Sequence, residues 1–317
     1  MRLGQNPAKY IDKVAQPADI TVSVVSCIPL TDGFYTESLD VLKACLSSLR
    51  ENTDRPFDLM VFDNHSCREV RDYLKDAYEQ GLIQYLVVSD TNIGKIGAWN
   101  FMFGAAQGRY VGFSDSDIYF RPGWLPASLE LFEAFPKVGM VTGRPLRTKM
   151  ELSTATLAWG RQAGNVLEEG SFMDWETFHE HDGSLGHAEE EILAQFQDGK
   201  DLRLSRAGKR AYAGAGHFQF LALKEALHQV MPLPSEKPMR GESIIETEID
   251  RLGYLRLCTE KPLVIHMGNR VPEMIKPSRP LRRQTPFTKK LLWSPLIRYV
   301  LLGAYSNIFR WYFENVE

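Results

Sequence analysis

The sequence predicts an α/β fold with a mostly parallel central sheet and helices on both faces. Three observations predict it. β-branched or aromatic runs alternate with helix-patterned runs four times between Ile20 and Asp115. Each of those apolar runs ends in a polar or acidic cluster. The 317 residues, 44% of them hydrophobic, are enough for one large α/β domain with a full core or for two small ones.

The elements follow in order. "ITVSVVSCIP", Ile20 to Pro29, is a buried strand stopped by proline. "SLDVLKACLSSLRENT" carries Leu39, Leu42, Leu46 and Leu49 at spacings of three and four, the stripe of an amphipathic helix. "FDLMVFDNHS" is a second strand, "EVRDYLKDAYEQG" a second helix closed by Gly81, and "IQYLVVSD" a third strand. "GAWNFMFGAAQG" is a helix rich in small residues that ends at glycine, and Tyr110 to Phe113 is a fourth strand. Regularity fades after Thr148. The stretch from Glu168 to Asp201 is predicted as a long acidic and aromatic loop holding one helix, Ala188 to Phe196. "AYAGAGHFQFLALKEAL" returns to glycine, aromatic residues and a helix start, and "IIETEIDRLGYLRLCTEKPLVIHMGN" reads as acidic helix, short strand and polar turn.

Charge and cysteine content exclude several classes. A net charge of -3 gives no overall attraction to nucleic acid, and none is expected as a partner. Cys27, Cys45, Cys67 and Cys258 are scattered, without the spacing of a zinc site or a disulfide framework. The first 19 residues are a polar leader without the apolar core of a signal peptide. No uncharged run reaches the roughly 18 residues of a membrane span. A cytoplasmic location is expected.

Sheets of this class bind ligands beyond the carboxyl ends of their strands. That edge should collect Pro29 to Asp32, Asp63 to Ser66, Asp90 to Lys95, and the pair Asp115 and Asp117 with only Ser116 between them. The acid pair is either turn chemistry or a ligand set. Alternation in an extended chain puts both carboxylates on one side, where one can reach a metal and the other a ribose or water. Hard divalent cations prefer such oxygens and keep positions open for phosphate. "NIGKIGAWN" is a glycine-containing loop opening a helix, and its N–H groups with Asn92 and Lys95 suit a phosphate; close helix packing is the competing reading.

The succession "VSCIP", "VFDNHS", "NIGKIGAWNFMFGAAQGRYVGFSDSDIYF", "GAGHFQF", "ETEID" and "PLVIHMGN" resembles a family 2 glycosyltransferase of the GT-A fold, from about Ile20 to Asn269. The resemblance implies transfer of a sugar from a nucleotide-diphosphate sugar to an acceptor hydroxyl with Mn2+ or Mg2+, inverting by direct displacement, in polysaccharide biosynthesis. By the same resemblance Asp117 is the direct metal ligand and Asp115 lies nearer the ribose and the metal. Asp63 reads the base, accepting the imide of uracil or contacting the amino-bearing edge of guanine with UDP-sugars favoured, unless it is an Asx-turn that ends the strand; Pro29 walls the base pocket or only terminates its strand. His266 completes the metal or diphosphate site, unless it is a hydrogen-bonded structural residue. The catalytic base falls in "ETEID", where Glu246 is preferred, Glu248 is second and Asp250 competes. "GAGHFQF" is the acceptor-side loop, where His217 or Phe218 can pack on a sugar ring. Trp175, His179, His181 and His187 match no metal-ligand spacing and form an acceptor lid or plain surface.

The expected organisation is a leader (1–19), a nucleotide-sugar half (20–147), an acceptor half (148–269) and a basic tail with an amphipathic helix (270–317). That helix suits core packing, a homodimer, or peripheral contact with an anionic membrane, the last fitting a lipid-linked rather than a free glycan acceptor. Two rival functions are carried. A nucleotidyltransferase would need Arg or Lys in the loop after the first strand, and "CIPLTDGFYTES" has neither. A non-catalytic nucleotide-sugar-binding protein would show no donor turnover.

Overall fold

The computed structural model describes residues 6–275 apart from 12, 240 and 274. The amphipathic helix expected in the tail lies outside the described residues. From the N-terminus the elements are β1 (Ile20–Ser26), α1 (Ser38–Glu51), β2 (Asp58–Asn64), α2 (Arg68–Glu79), β3 (Tyr85–Ser89), α3 (Gly94–Ala105) and β4 (Tyr110–Asp115). This is the predicted fourfold alternation. Next come β5 (Ile118–Phe120), α4 (Trp124–Ala134), β6 (Val138–Thr142), α5 (Thr154–Gly160), β7 (Val166–Gly170), α6 (Trp175–Ser184) and α7 (Glu189–Asp198). The last are β8 (Asp201–Arg206), β9 (Lys209–Ala213), β10 (Gln219–Leu223), α8 (Lys224–Val230), α9 (Ile244–Arg251), β11 (Leu255–Cys258) and β12 (Val264–His266).

Ten strands form one sheet in the order β3-β2-β1-β4-β10-β6-β11-β9-β8-β7. The first four run parallel. β10 then enters antiparallel between β4 and β6, and β9, β8 and β7 continue as an antiparallel meander. The sheet is thus parallel where the strand–helix alternation was read and mixed beyond it. Register fixes what shares the rim: Ser26 pairs with Asp63 and Val25 with Asp115, so both acids leave the sheet at the same level.

Alternate residues feed two cores. Val22, Val24, Leu59 and Val61 face α1, α2 and α4, while Met60, Phe62, Val111 and Phe113 face α3, α8 and α9. Leu42, Leu46 and Leu49 of α1 are fully buried, each worth roughly 1.5–3 kcal/mol against exposure.

The region predicted as a long loop is folded. α6 starts at Asp174, whose side chain accepts from the Thr177 backbone N–H at 2.7 Å. The helix is then pinned from below: the buried Arg144 donates to Glu180 at 3.0 Å and to the Thr177 carbonyl at 2.7 Å, and Arg121 reaches Glu180 at 3.4 Å. Trp175, His179 and His181 therefore sit on an anchored helix, not on a loop.

Candidate functional site

At the rim, the chain after β1 is tied to the end of β2. The Ile28 N–H donates to Ser66 Oγ at 3.0 Å and the Cys67 N–H to the Ile28 carbonyl at 2.8 Å, leaving Pro29 exposed just beyond. Asp63 is fully buried; Oδ1 accepts from the Ser66 N–H at 3.3 Å, and Oδ2 has no protein partner among the described residues. Burial pushes its carboxyl above the ordinary range, opposed by the Ser66 hydrogen bonds. Asn64 closes the neighbouring corner. It accepts from the Ile93 N–H at 2.9 Å and donates to Asn92 Oδ1, which also accepts from the Gly94 N–H at 2.9 Å. Asn92 thus holds the start of α3 instead of leaving all its backbone donors open. Gly94 has φ +77°, and a Cβ there would lie 2.8 Å from the Lys237 carbonyl oxygen.

Lys95 bends from α3 to Asp115, Nζ to Oδ2 at 2.7 Å, over the rings of Trp99 and Phe113. Asp115 is committed to that cation. Asp117 is not. Its Oδ2 lies 3.4 Å from His266 Nε2, and its buried Oδ1 has no hydrogen-bond partner among the described residues. Burial raises its carboxyl, and the His266 imidazole opposes the rise. The antiparallel pairing of β12 with β5, His266 against Ile118, brings these two residues together. His266 Nδ1 lies 2.9 Å from Ser184 Oγ at the end of α6, which fixes the ring. A buried carboxylate oxygen without a partner, beside an imidazole held through its far nitrogen, fits a Mn2+ or Mg2+ ion. The described residues gather no set of three or more His, Cys, Asp or Glu ligands, so phosphate oxygens and water would complete the shell.

A cavity of about 1050 Å³ opens from Lys95, Asp115 and His266 towards His217 and Glu246. Gly214, at φ +107°, begins the loop that brings Gly216, His217 and Phe218 to the cavity, and a Cβ at Gly214 would collide with the Thr148 side chain. Glu246, 5% exposed, also lines the cavity, with both oxygens occupied. Oε2 accepts from the fully buried Arg256 at 2.7 Å; Oε1 receives the His217 backbone N–H at 3.1 Å and lies 2.7 Å from His217 Nδ1. Arg256 is steadied by the Leu152 and Ala215 carbonyls. The three acids of "ETEID" thus separate. Glu248 pairs with Arg251 at 2.8 Å and does not line the cavity. Asp250 receives the Thr154 and Ala155 backbone N–H groups and so caps α5. Glu242, just ahead of α9, does line the cavity. His181 lines it too, against Phe218, and burial with the nearby Arg144 holds its imidazole neutral.

Residues 33–210, more than half of the chain, match the family model described as Glycosyl transferase family 2. The chain belongs to this family. The parallel half-sheet with an acidic rim is the GT-A core that the family resemblance leads one to expect. An uncharacterized glycosyltransferase of Nostoc sp. is 28% identical over 100 residues, 32% of this chain and 31% of that one. A mannosyltransferase of Pyrobaculum calidifontis, in complex with GDP-Man and Mn2+, is 16% identical over 84% of this chain and 63% of its own, with a TM-score of 0.46. S. aureus TarS 1-349 in complex with UDP-GlcNAc is 14% identical over 82% and 61%, with a TM-score of 0.47. The chain thus spans less than a third of the curated relative and under two thirds of either solved structure.

The family match ends in β9, so His217, Glu246, Arg256 and His266 lie beyond it. Four residues of the site escape sequence reasoning. Asn64 stands beside Asp63, and its polar cluster was a signal. Glu242 precedes the acidic helix by one turn. Ser184 and the buried Arg256 carry no sequence signal, because their partners are 82 and 10 residues away. Among the described residues no helix is long and apolar enough to cross a membrane.

Proposed function

We propose that this glycosyltransferase moves a sugar from a uridine-diphosphate sugar to an acceptor hydroxyl by direct displacement at the rim of the sheet, aided by a divalent cation. One observation carries the reading: the buried oxygen of Asp117, without a hydrogen-bond partner among the described residues, lies beside His266 and within electrostatic reach of Asp115 and Lys95, at the strand edge shared with Asp63 and Asn92. Asp117 and His266 would hold the ion, and its charge would offset that developing on the departing diphosphate. Asp63 Oδ2, buried and without a partner, is suited to accept the imide N–H of uracil, with the exposed backbone around Pro29 as the wall of the base pocket. Lys95 supplies a cation and Asn92 an ordered amide on the diphosphate side, and Asp115 is placed by Lys95 for the ribose.

The acceptor, a glycan hydroxyl, enters the cavity whose far wall is Glu246 with His217. Its oxygen attacks the anomeric carbon and its proton leaves towards that wall. The transition state resembles an oxocarbenium ion, so the negative rim favours it. Residues 20–147 act as the donor half and 148–269 as the acceptor half. UDP release from UDP-sugars in manganese tests this reading. Turnover that disappears with chelator, and falls about a thousandfold in Asp117→Ala, is the expected result; that corresponds to ~4 kcal/mol of lost transition-state stabilisation. Turnover indifferent to both would remove the metal-site assignment.

A further inference from the structure

We infer that Ser184, in the last turn of α6, is a positioning residue for the metal site: it fixes the tautomer of His266, so that the ring turns a lone pair and not a hydrogen towards Asp117. The inference rests on the cation-assisted reading above. It goes beyond that reading in tying the helix beside the cavity to the side chain that would hold the ion.

Its ground is a count of hydrogens. A serine hydroxyl has one hydrogen to give and two lone pairs. Ser184 Oγ lies 2.5 Å from the carbonyl oxygen of His181, one turn back on the same helix, and 2.9 Å from His266 Nδ1. A carbonyl only accepts, so the hydroxyl spends its hydrogen on His181. Towards His266 the hydroxyl is then an acceptor, and the ring proton sits on Nδ1. In the neutral imidazole the other nitrogen carries the lone pair. That nitrogen, Nε2, is the one 3.4 Å from Asp117 Oδ2. Two acceptors thus face each other beside the buried Asp117 Oδ1, which has no partner among the described residues, and a cation suits the space they share. Had the hydroxyl donated to Nδ1, Nε2 would carry the hydrogen, and the neutral ring would be a donor to Asp117 and no ligand at all.

The packing around this contact holds it in place. Arg144, fully buried, donates to the Thr177 carbonyl at 2.7 Å and to Glu180 at 3.0 Å on α6, and to the Val264 carbonyl at 3.3 Å on β12. One side chain therefore clamps the helix that carries Ser184 to the strand that carries His266. Just past that strand Gly268 has φ +66°, and a Cβ there would lie 3.1 Å from the Ser184 carbonyl oxygen, so the turn runs close against the helix end. The Met267 N–H donates to the Asp117 carbonyl at 2.8 Å and keeps the histidine level with the acid. The His181 ring meets the His266 ring edge-on, centroids 6.1 Å apart, and it is the His181 backbone that takes part. Thr177, Phe178, His181 and Asp182 of α6 line the cavity, so whatever displaces the helix there also moves the hydroxyl that orients His266.

Two measurements on the full chain test this. The first is the imidazole nitrogen spectrum of the metal-free wild type at about pH 8, above the ordinary histidine range, with His266 assigned by its loss in His266→Gln. It should place the His266 proton on Nδ1. The second is Mn2+ binding in the presence of UDP, read from the electron paramagnetic resonance of the free ion. Removing the outer partner of a ligating histidine weakens metal binding about 10- to 100-fold, and Ser184→Ala should lose Mn2+ affinity by that factor. Ser184→Thr keeps a hydroxyl able to bond the same helix carbonyl and should recover most of the loss. A His266 proton on Nε2, an unchanged Mn2+ affinity in Ser184→Ala, or equal losses in Ser184→Ala and Ser184→Thr would overturn the inference. Wild type that binds no Mn2+ even with UDP would instead overturn the underlying reading, whichever nitrogen carries the proton.

Discussion

From β1 to α3, helices are fixed to the sheet by Leu42, Leu46, Leu49, Val61 and Leu74, all fully buried. From β6 to β12, apolar packing is joined by buried ion pairs: Arg144 to Glu180, Arg147 to Asp201 and Arg256 to Glu246. The first region is a scaffold whose contacts are non-directional and roughly additive in area. The second surrounds the cavity, and its ties are directional, so each one fixes the angle of a particular side chain as well as holding the chain together. Buried ion pairs are weak evidence of net stability but costly to break from one side. The difference teaches where precision is needed: at the cavity wall proposed for the acceptor, not under the strands proposed to hold the donor.

Breaking one tie of each kind separates these roles. Arg256→Met leaves Glu246 buried without its cation and should cost about 3–5 kcal/mol in urea unfolding. Adding Glu246→Gln should return part of that stability without returning turnover. Leu46→Ala opens a cavity in the scaffold and should cost about 2–5 kcal/mol, with kcat nearly unchanged in whatever fraction remains folded. If the two variants lost turnover alike, the division between scaffold and acceptor wall would be wrong.

Asp63→Asn sharpens the comparison at the donor end. Burial raises the Asp63 carboxyl above its unfolded range, so its ionisation opposes folding. That cost is absent below about pH 4, where the side chain is protonated in both states, and grows as pH rises through the folded-state value. Asparagine can still accept from the Ser66 N–H. Asp63→Asn should therefore match wild type in acid and gain slightly in melting temperature at pH 7, by about 1 kcal/mol at most. UDP affinity should fall about tenfold, the worth of one charged hydrogen bond.

The same contrast explains what was legible in the sequence. β1 to β4 and their helices announced themselves because β-branched runs and the leucine stripe of α1 are local patterns of one period. The acid pair and Asp63 were visible as strand endings. α6 was not: "WETFHEHDGS" has no apolar stripe, and its only local mark was Asp174 capping Thr177. The β8–β9 hairpin, turning at Ala207 and Gly208 with positive φ, was marked by "RAGK" and went unread. The acid choice within "ETEID" could not be made from spacing, because Arg256, Arg251 and Thr154 assign the three carboxylates to three different tasks.

Calorimetry of UDP binding with and without Mn2+, in wild type and in Asp117→Ala, tests the central claim most directly. The account predicts tight binding only when the ion is present, and loss of that ion dependence in Asp117→Ala with weak residual binding through Asp63. Equal affinity in all four arms would contradict it.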